Sequence, residues 1–218
     1  FGNKAIGVFQ TQEEIDSYIS PATGKPIQPN AAPGDTKFED LNGDGVISDD
    51  NEDRTMIGKP NPDWMVGLTV AADWNGFDLS AFFQGSFGAD VFDALRRYEL
   101  AAVNYTSDAL ERWTGPGTSN SMPRIVLGDT PKNFRPSTLL VHDASFLRLR
   151  NLQVGYTLPA QLTRKAYIQR LRFYASFDNL LTITGYKGMD PEIGSTMGID
   201  KGVYPQARVY TFGLNLTF

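Results

Sequence analysis

The chain has no cysteine among its 218 residues. That excludes disulfides, thiolate nucleophiles and cysteine-ligated metals. It has one histidine, His142, so a catalytic triad or a histidine-held metal has little to build on. His142 reads as a polar residue at a strand entrance. Basic residues number 20 against 25 acidic ones, for a net charge of -5, and they form no stripe, so nucleic acid is not an expected partner. No apolar run reaches the ~18 residues of a membrane-crossing helix. That test does not see a β-barrel, in which only every second residue is apolar. The first residues, Phe1-Gly2-Asn3-Lys4, show no initiator Met, basic n-region or apolar h-region. An exported protein would have had a leader, so the expectation is a removed leader or a longer parent chain, and the strand count below favours the parent chain.

Aromatic residues make up 12% of the chain and glycines number 21, a composition that favours β-structure with many turns. The clearest pattern is at the end. Tyr210, Phe212, Leu214, Leu216 and Phe218 are large and apolar, and they alternate with Thr211, Gly213, Asn215 and Thr217. Such period-2 alternation predicts a strand with one greasy and one wet face. A transmembrane barrel strand needs lipid-facing and lumen-facing residues in this order. A terminal Phe on such a strand looks like the signal read by the outer-membrane barrel-assembly machinery.

Four more segments carry strand patterning. Residues 64–74 put Trp64, Val66, Leu68, Val70, Ala72 and Trp74 on one face. Asn75-Gly76 follows, a hairpin signal because both residues tolerate the positive φ of a type I′ turn. Residues 77–84 form the returning strand. Residues 145–158 switch parity near Arg150-Asn151, which predicts a β-bulge, and residues 171–181 alternate again. Short helices are expected near 91–100 and 107–113, and one or two helical turns within 159–170. The connections alternate in length: short at 75–76 and 159–170, long at 88–143 and 184–208. Outer-membrane barrels have short periplasmic turns and long extracellular loops, so residues 1–63, 88–143 and 184–208 are expected outside and Phe218 on the periplasmic side. Five strands cannot close a barrel, which needs about eight. The expected fold is therefore all-β, an incomplete C-terminal part of a large antiparallel barrel over 64–218, preceded by a loop region at 1–63.

Asp40-Leu41-Asn42-Gly43-Asp44-Gly45-Val46-Ile47-Ser48 follows the first three-quarters of an EF-hand-type loop. Oxygens of Asp40, Asn42 and Asp44, the Val46 carbonyl and Ser48 suit a hard cation, and Gly45 permits the sharp turn. The twelfth position is Asn51 rather than an acidic residue, with Glu52 and Asp53 just beyond, so the last ligand is one of these three. The expectation is a structural Ca²⁺ clip on an extracellular loop; the alternative is an Asx-rich turn that needs no metal. Ala32-Pro33-Gly34 breaks any preceding helix, so a sensor-type helix pair is not expected.

These features resemble the C-terminal region of SusC-like TonB-dependent outer-membrane transporters. The similarity runs through 6–15, 27–35, 40–44, Ile57-Gly58-Lys59-Pro60-Asn61-Pro62, 143–151, Phe177-Asp178-Asn179-Leu180, Gly188-Met189-Asp190-Pro191-Glu192 and Tyr204-Pro205-Gln206. The resemblance implies a large barrel in the outer membrane of a Gram-negative bacterium, with an N-terminal plug absent here. It also implies a SusD-like surface lipoprotein as cap, TonB as drive through the absent N-terminal part, and an oligosaccharide or peptide cargo. The expected function is thus the barrel end of an importer and not an enzyme. Asp190 and Glu192 read as a turn rather than an acid pair. Trp64, Trp74, Tyr156 and Phe218 read as interface or lipid-facing aromatics. Tyr98, Tyr105 and Trp113 in the long loop are candidates for cargo or lipoprotein contact. Arg148, Arg150 and Arg172 should face the lumen. The competing reading is a soluble, secreted, calcium-stiffened β-module that binds glycan or protein; a secreted hydrolase lacks a convincing site.

Overall fold

The structure, a computed structural model, describes residues 1–48, 52–96, 98, 100, 103–192, 198–202 and 204–218. In chain order the elements are β1 (Gly2–Asn3), β2 (Ala5–Val8), helix α1 (Gln12–Ser17), β3 (Thr36–Phe38), β4 (Arg54–Thr55), β5 (Trp64–Trp74), β6 (Phe77–Phe87), β7 (Asp90–Asp93), β8 (Val141–Asp143), β9 (Phe146–Thr157), α2 (Ala160–Thr163), β10 (Arg170–Thr184), β11 (Ile199–Asp200) and β12 (Val209–Thr217). They fall into two compact units, one of residues 1–59, 91–142 and 199–202, the other of residues 60–90, 143–198 and 203–218.

The second unit is one five-stranded antiparallel sheet in the order β12-β10-β9-β6-β5, a meander of the predicted strands. Each strand has 9 to 15 residues, at or above the ~9–11 that a tilted strand needs to cross a bilayer. The hairpin between β5 and β6 turns at Asn75 (φ 49°) and Gly76 (φ 87°), the left-handed pair that matches strand twist. One face carries Val66, Leu68, Val70, Leu79, Val154, Phe173, Phe212 and Leu214, all exposed. Trp64, Trp74 and Phe218, at strand ends, are 73%, 76% and 74% exposed. A soluble module would not leave so continuous an apolar face in water; lipid is its natural solvent. The opposite face is polar, and Arg172 Nε donates to Asp78 Oδ1 across it at 2.8 Å. The pair bridges over Gly155, where a Cβ would stand 2.5 Å from that same Asp78 oxygen.

The predicted bulge is present. Asn151 lies opposite Phe82, whereas Leu149 lies opposite the next residue, Phe83, so Arg150 is the extra residue of β9. On the other side the register with β10 skips Asn179 and Leu180, and Asn179 takes φ 53°. One added residue lets Arg148 and Arg150 share the polar face with Asn151 and Gln153. Without it, the parity would throw one of these pairs into lipid.

The first unit is built on buried polar contacts between distant segments. Asp35, 2% exposed, accepts Arg124 Nε at 2.6 Å, the Asn133 side-chain amide at 3.1 Å and the Ala32 amide at 2.8 Å. Hydrogen bonding to Asp35 pushes the Arg124 guanidinium above its ordinary value. Helix α1 is capped by Thr11, whose side chain accepts from the Glu14 amide, and buries Ile15. Val91 to Asp93, expected as the start of a helix, instead belong to β7, which pairs parallel with β11; β-branched Val91 is 1% exposed, and the pairing outweighs the local helical spacing. The helix expected at 107–113 is a 3₁₀ turn, Ser107–Glu111, stopped by the Thr114-Gly115-Pro116 stretch. The turns expected within 159–170 are α2 and a 3₁₀ turn at Arg164–Ala166.

Two substitutions test the facing of the sheet. In the full-length protein, Leu214→Arg should lower barrel stability by about 2–4 kcal/mol, the cost of a guanidinium against mid-membrane lipid, and reduce the heat-modifiable folded band on gels. Asn215→Arg, one residue on and facing the lumen, should leave that band unchanged.

Candidate functional site

The most organised group of charged side chains in the sheet unit stands where the long connections leave it. β9 supplies Arg148 and, through the bulge, Arg150; the connection after β10 supplies Asp190 and Glu192. Arg148 is 2% exposed. It donates to Asp190 Oδ1 at 2.6 Å, to Glu192 Oε2 at 2.8 Å and to Thr182 Oγ1 at 2.9 Å. Arg150 pairs with the second oxygen of Glu192, and its Nε donates to Gln84 Oε1 at 2.6 Å. Asp190 also accepts the backbone amides of Glu192 at 3.0 Å and Gln206 at 3.1 Å. It therefore ties together the two limbs of the 185–208 connection. Burial alone would push the Asp190 carboxyl up, but those two amides and the Arg148 guanidinium together hold it below its ordinary value. A carboxyl held ionised in this way is a poor proton donor.

Beside this network the polar face of β5, β6 and β9 carries a cavity of about 210 Å³. The register that sets Met65 opposite Ser86, Gln84 opposite Arg148 and Ser86 opposite Phe146 brings these residues to one face. Asn61, Gln84, Ser86, Asp90 and Glu192 give the cavity its polar lining, and Phe146 and Pro191 part of its apolar lining. The floor is held by the Ala144 amide, which donates to the Ala89 carbonyl at 2.8 Å.

The acidic loop closes on its own amides. Asp40 accepts Gly43 N and Gly45 N, both at 2.8 Å. Asn42 Oδ1 accepts Asp44 N at 3.0 Å, and Asp44 Oδ1 accepts Val46 N at 2.8 Å. Asp53 is fully buried and accepts Leu41 N and Ser48 N, both at 3.1 Å. Exposed Glu52 lies 3.4 Å from Asn42 Nδ2. Asn51 lies outside the described residues. Burial pushes the Tyr18 hydroxyl above its ordinary value, and the charges of Asp40, Glu39 and Asp53 push it the same way. The oxygen-only donor set suits a hard cation, and Ser48 Oγ is a buried atom with no hydrogen-bond partner. Among the described residues no three acidic or histidine side chains converge as a metal cage; the carboxylates here are directed at backbone amides.

Of the loop aromatics, the structure brings Tyr98 and Tyr105 together, with ring centroids 5.7 Å apart. Tyr98 is a core residue with Ala109 and Met122, its hydroxyl 2.8 Å from Thr106 Oγ1. Tyr105 is 47% exposed. Trp113 stacks on Gly34 and donates through Nε1 to Gln10 Oε1 at 3.1 Å. Tyr210, Phe212, Leu214 and Leu216 lie on the apolar face of β12, and Phe218 follows its last residue. The rim network had a weak sequence signal: Arg148 and Arg150 are same-parity cations two residues apart, yet their carboxylate partners lie 42 to 44 positions away.

The rim network gives a prediction with a worked sign. Because the folded Asp190 carboxyl sits below its usual value, its contribution is fully present above the unfolded carboxylate value of about 3.9 and is lost as pH falls through the lower, folded one. Hydrogen-exchange protection of the Glu192 and Gln206 amides should follow that profile. Arg148→Met should abolish the protection at neutral pH, since removing one partner of a buried pair costs about 3–5 kcal/mol.

No protein-family model matches the chain. TonB-dependent receptor P3 of Formosa agariphila is 34% identical, over 99% of this chain and 22% of that receptor. TonB-dependent receptor SusC of Bacteroides thetaiotaomicron is 31% identical, over 87% of this chain and 18% of its own length. Among solved structures, the RagAB peptide importer in its open-open state superposes with a TM-score of 0.71 at 25% identity, covering 100% of this chain and 22% of that one. A structure of the RagAB peptide transporter matches 70% of this chain and 17% of its own at 34% identity, with a TM-score of 0.57. The chain thus spans roughly a fifth of the length of the relatives it matches. With identity above 30% over most of its length, the chain belongs to the SusC-like (SusC/RagA) family of TonB-dependent receptors and corresponds to the C-terminal region of their barrel.

Proposed function

We propose that the chain is the wall-closing end of an outer-membrane importer of oligosaccharides or peptides, driven by TonB and capped by a SusD-like lipoprotein. The observation that carries this reading is the two-faced sheet: apolar on one side along five bilayer-length strands, polar and ion-paired on the other. The names of the relatives support it, since they are receptors and importers. In this reading the strands seal the wall and the long connections shape the vestibule on the cell surface. Tyr105, the most exposed of the candidate aromatics, is the one offered to cargo or lipoprotein. No chemical step is assigned to the chain; its work is binding and passage.

Ca²⁺ belongs to the same proposal. Asp40, Asn42, Asp44, the Val46 carbonyl and Ser48 would hold it. Asp53 already accepts two amides, so exposed Glu52 or Asn51 would supply the last oxygen. The ion would fix the loop's conformation.

Three results test these readings in the full-length protein. Phe218→Ala should leave the receptor unassembled in the outer membrane, read as loss of its heat-modifiable band; normal assembly of that variant removes the role given to the terminal aromatic. Deletion of the gene for the SusD-like partner lipoprotein should reduce cargo uptake in cells. Ca²⁺ should protect the 40–53 segment from limited proteolysis relative to chelator, and Asp40→Asn with Asp44→Asn should erase the difference.

A further inference from the structure

We propose that the connection at 159–170 is a docking site for an anionic glycerophospholipid of the periplasmic leaflet. Arg164 and Lys165 take the headgroup phosphate, and Leu162 and Tyr167 lie at the boundary of headgroups and acyl chains. This rests on the outer-membrane barrel reading and deepens it.

Position comes first. The connection joins β9 to β10 at the same end of the sheet as the Asn75-Gly76 turn and Phe218. The Leu158 amide donates to the Leu171 carbonyl at 2.9 Å and closes the ladder there. Just inside it, the register sets Trp74 opposite Phe77, Phe77 opposite Tyr156 and Tyr156 opposite Phe173. The Phe77 and Tyr156 rings stand 4.4 Å apart, and Trp74, Phe77 and Phe173 are exposed. Rings aligned across four strands at one height form a girdle of the kind that marks a membrane–water interface. The connection therefore stands at headgroup level.

Charge comes second. The chain has a net charge of -5, yet residues 159–170 contain Arg164, Lys165 and Arg170 and no Asp or Glu. Arg170 is not assigned to the lipid. It shares a cavity of about 230 Å³ with Asp73 and Asp78, and Asp78 is on the lumen side, paired with Arg172. Arg164 and Lys165 are exposed, and among the described residues neither has an ion-pair partner. A guanidinium fork beside an ammonium suits a phosphate.

The apolar neighbours select lipid over a soluble anion. Leu162 is 63% exposed and Tyr167 90%. Tyr167 also takes φ 58°, a left-handed conformation that is unfavourable for a bulky residue. Among the described residues no ring contact or side-chain hydrogen bond of Tyr167 offsets that strain. A tyrosine with its ring against acyl carbons and its hydroxyl among headgroups would offset it. Basic side chains beside exposed apolar ones are the pattern of a segment that lies on an anionic lipid surface.

The test uses the full-length protein in mixed micelles of phosphatidylglycerol and phosphatidylethanolamine, with retained lipids counted by native mass spectrometry. The wild type should retain phosphatidylglycerol in preference to phosphatidylethanolamine. Arg164→Gln with Lys165→Gln should lower that preference about fivefold for each charge removed, with the heat-modifiable band unchanged. Arg170→Gln should leave the preference as it was. A folded double variant with wild-type preference overturns the site and leaves the barrel reading standing. An equal loss in Arg170→Gln overturns the assignment to Arg164 and Lys165. Glycerol phosphate, which has the headgroup charge without acyl chains, should bind far more weakly; if it binds as tightly as phosphatidylglycerol, the lipid assignment fails. A full-length protein with no heat-modifiable band in any lipid overturns the barrel reading and the site with it. If the double variant fails to fold, Lys165→Gln alone decides, with an expected loss of about fivefold.

Discussion

The constraint on which the rest depends is the absence of water in the hydrocarbon core. A backbone amide or carbonyl there can be satisfied only by a neighbouring strand. The five long strands meet that demand by pairing in sequence order, each with the next along the chain. Pairing fixes register, register fixes parity, and parity decides which side chains meet lipid. Among the described residues, the outermost strands, β5 and β12, each have one paired and one open side. Such edges are tolerable in a membrane only when further strands of the same barrel cover them. This matches a chain that spans roughly a fifth of its relatives' length.

The same constraint explains the bulge. A lumen wall is free to carry charge, and Arg148 and Arg150 use that freedom. Continuing the strand beyond them in strict alternation would have set Asn151 and Gln153 against lipid. One extra residue in β9 keeps both sets on the wet side at the expense of one irregular step in the ladder. The irregularity also aims two guanidiniums at one carboxylate, Glu192. The bulge thus serves the sheet by preserving its two faces and serves the rim by converging its charges.

What was legible in the sequence follows from this physics. Strand existence, the Asn75-Gly76 turn and the parity switch near Arg150 are encoded within windows of a few residues, because a lipid-facing strand must alternate residue by residue. The first unit was read as loops because its organising contacts are long-range and polar. Thr36 N to Asn133 Oδ1 spans 97 positions, and Asp35 to the Asn133 amide spans 98. Buried Asp35 and Asn133 have no period to betray them, and their composition reads as turn. The start of the helix expected at 91–100 is strand for the same reason, since the partners of β7, β11 and β8, both lie far along the chain. The cavity was likewise beyond reach, because it needs the register of three strands and a turn from a fourth segment at once.

The rim network poses a choice that apolar packing would have avoided. Two arginines and two carboxylates at low exposure are weak evidence for stability, since a well-packed hydrophobic set is often as good or better. Their value lies in geometry. A guanidinium fork fixes the direction of each carboxylate oxygen, and Asp190 uses its remaining lone pairs to hold amides at positions 192 and 206. An apolar cluster would have held the connection against the wall but left its orientation loose. With the fork in place, the turn at Asp190-Pro191-Glu192 is set both in position and in rotation. That fixed turn is what allows a loop residue, Glu192, to share a cavity with strand residues of the wall.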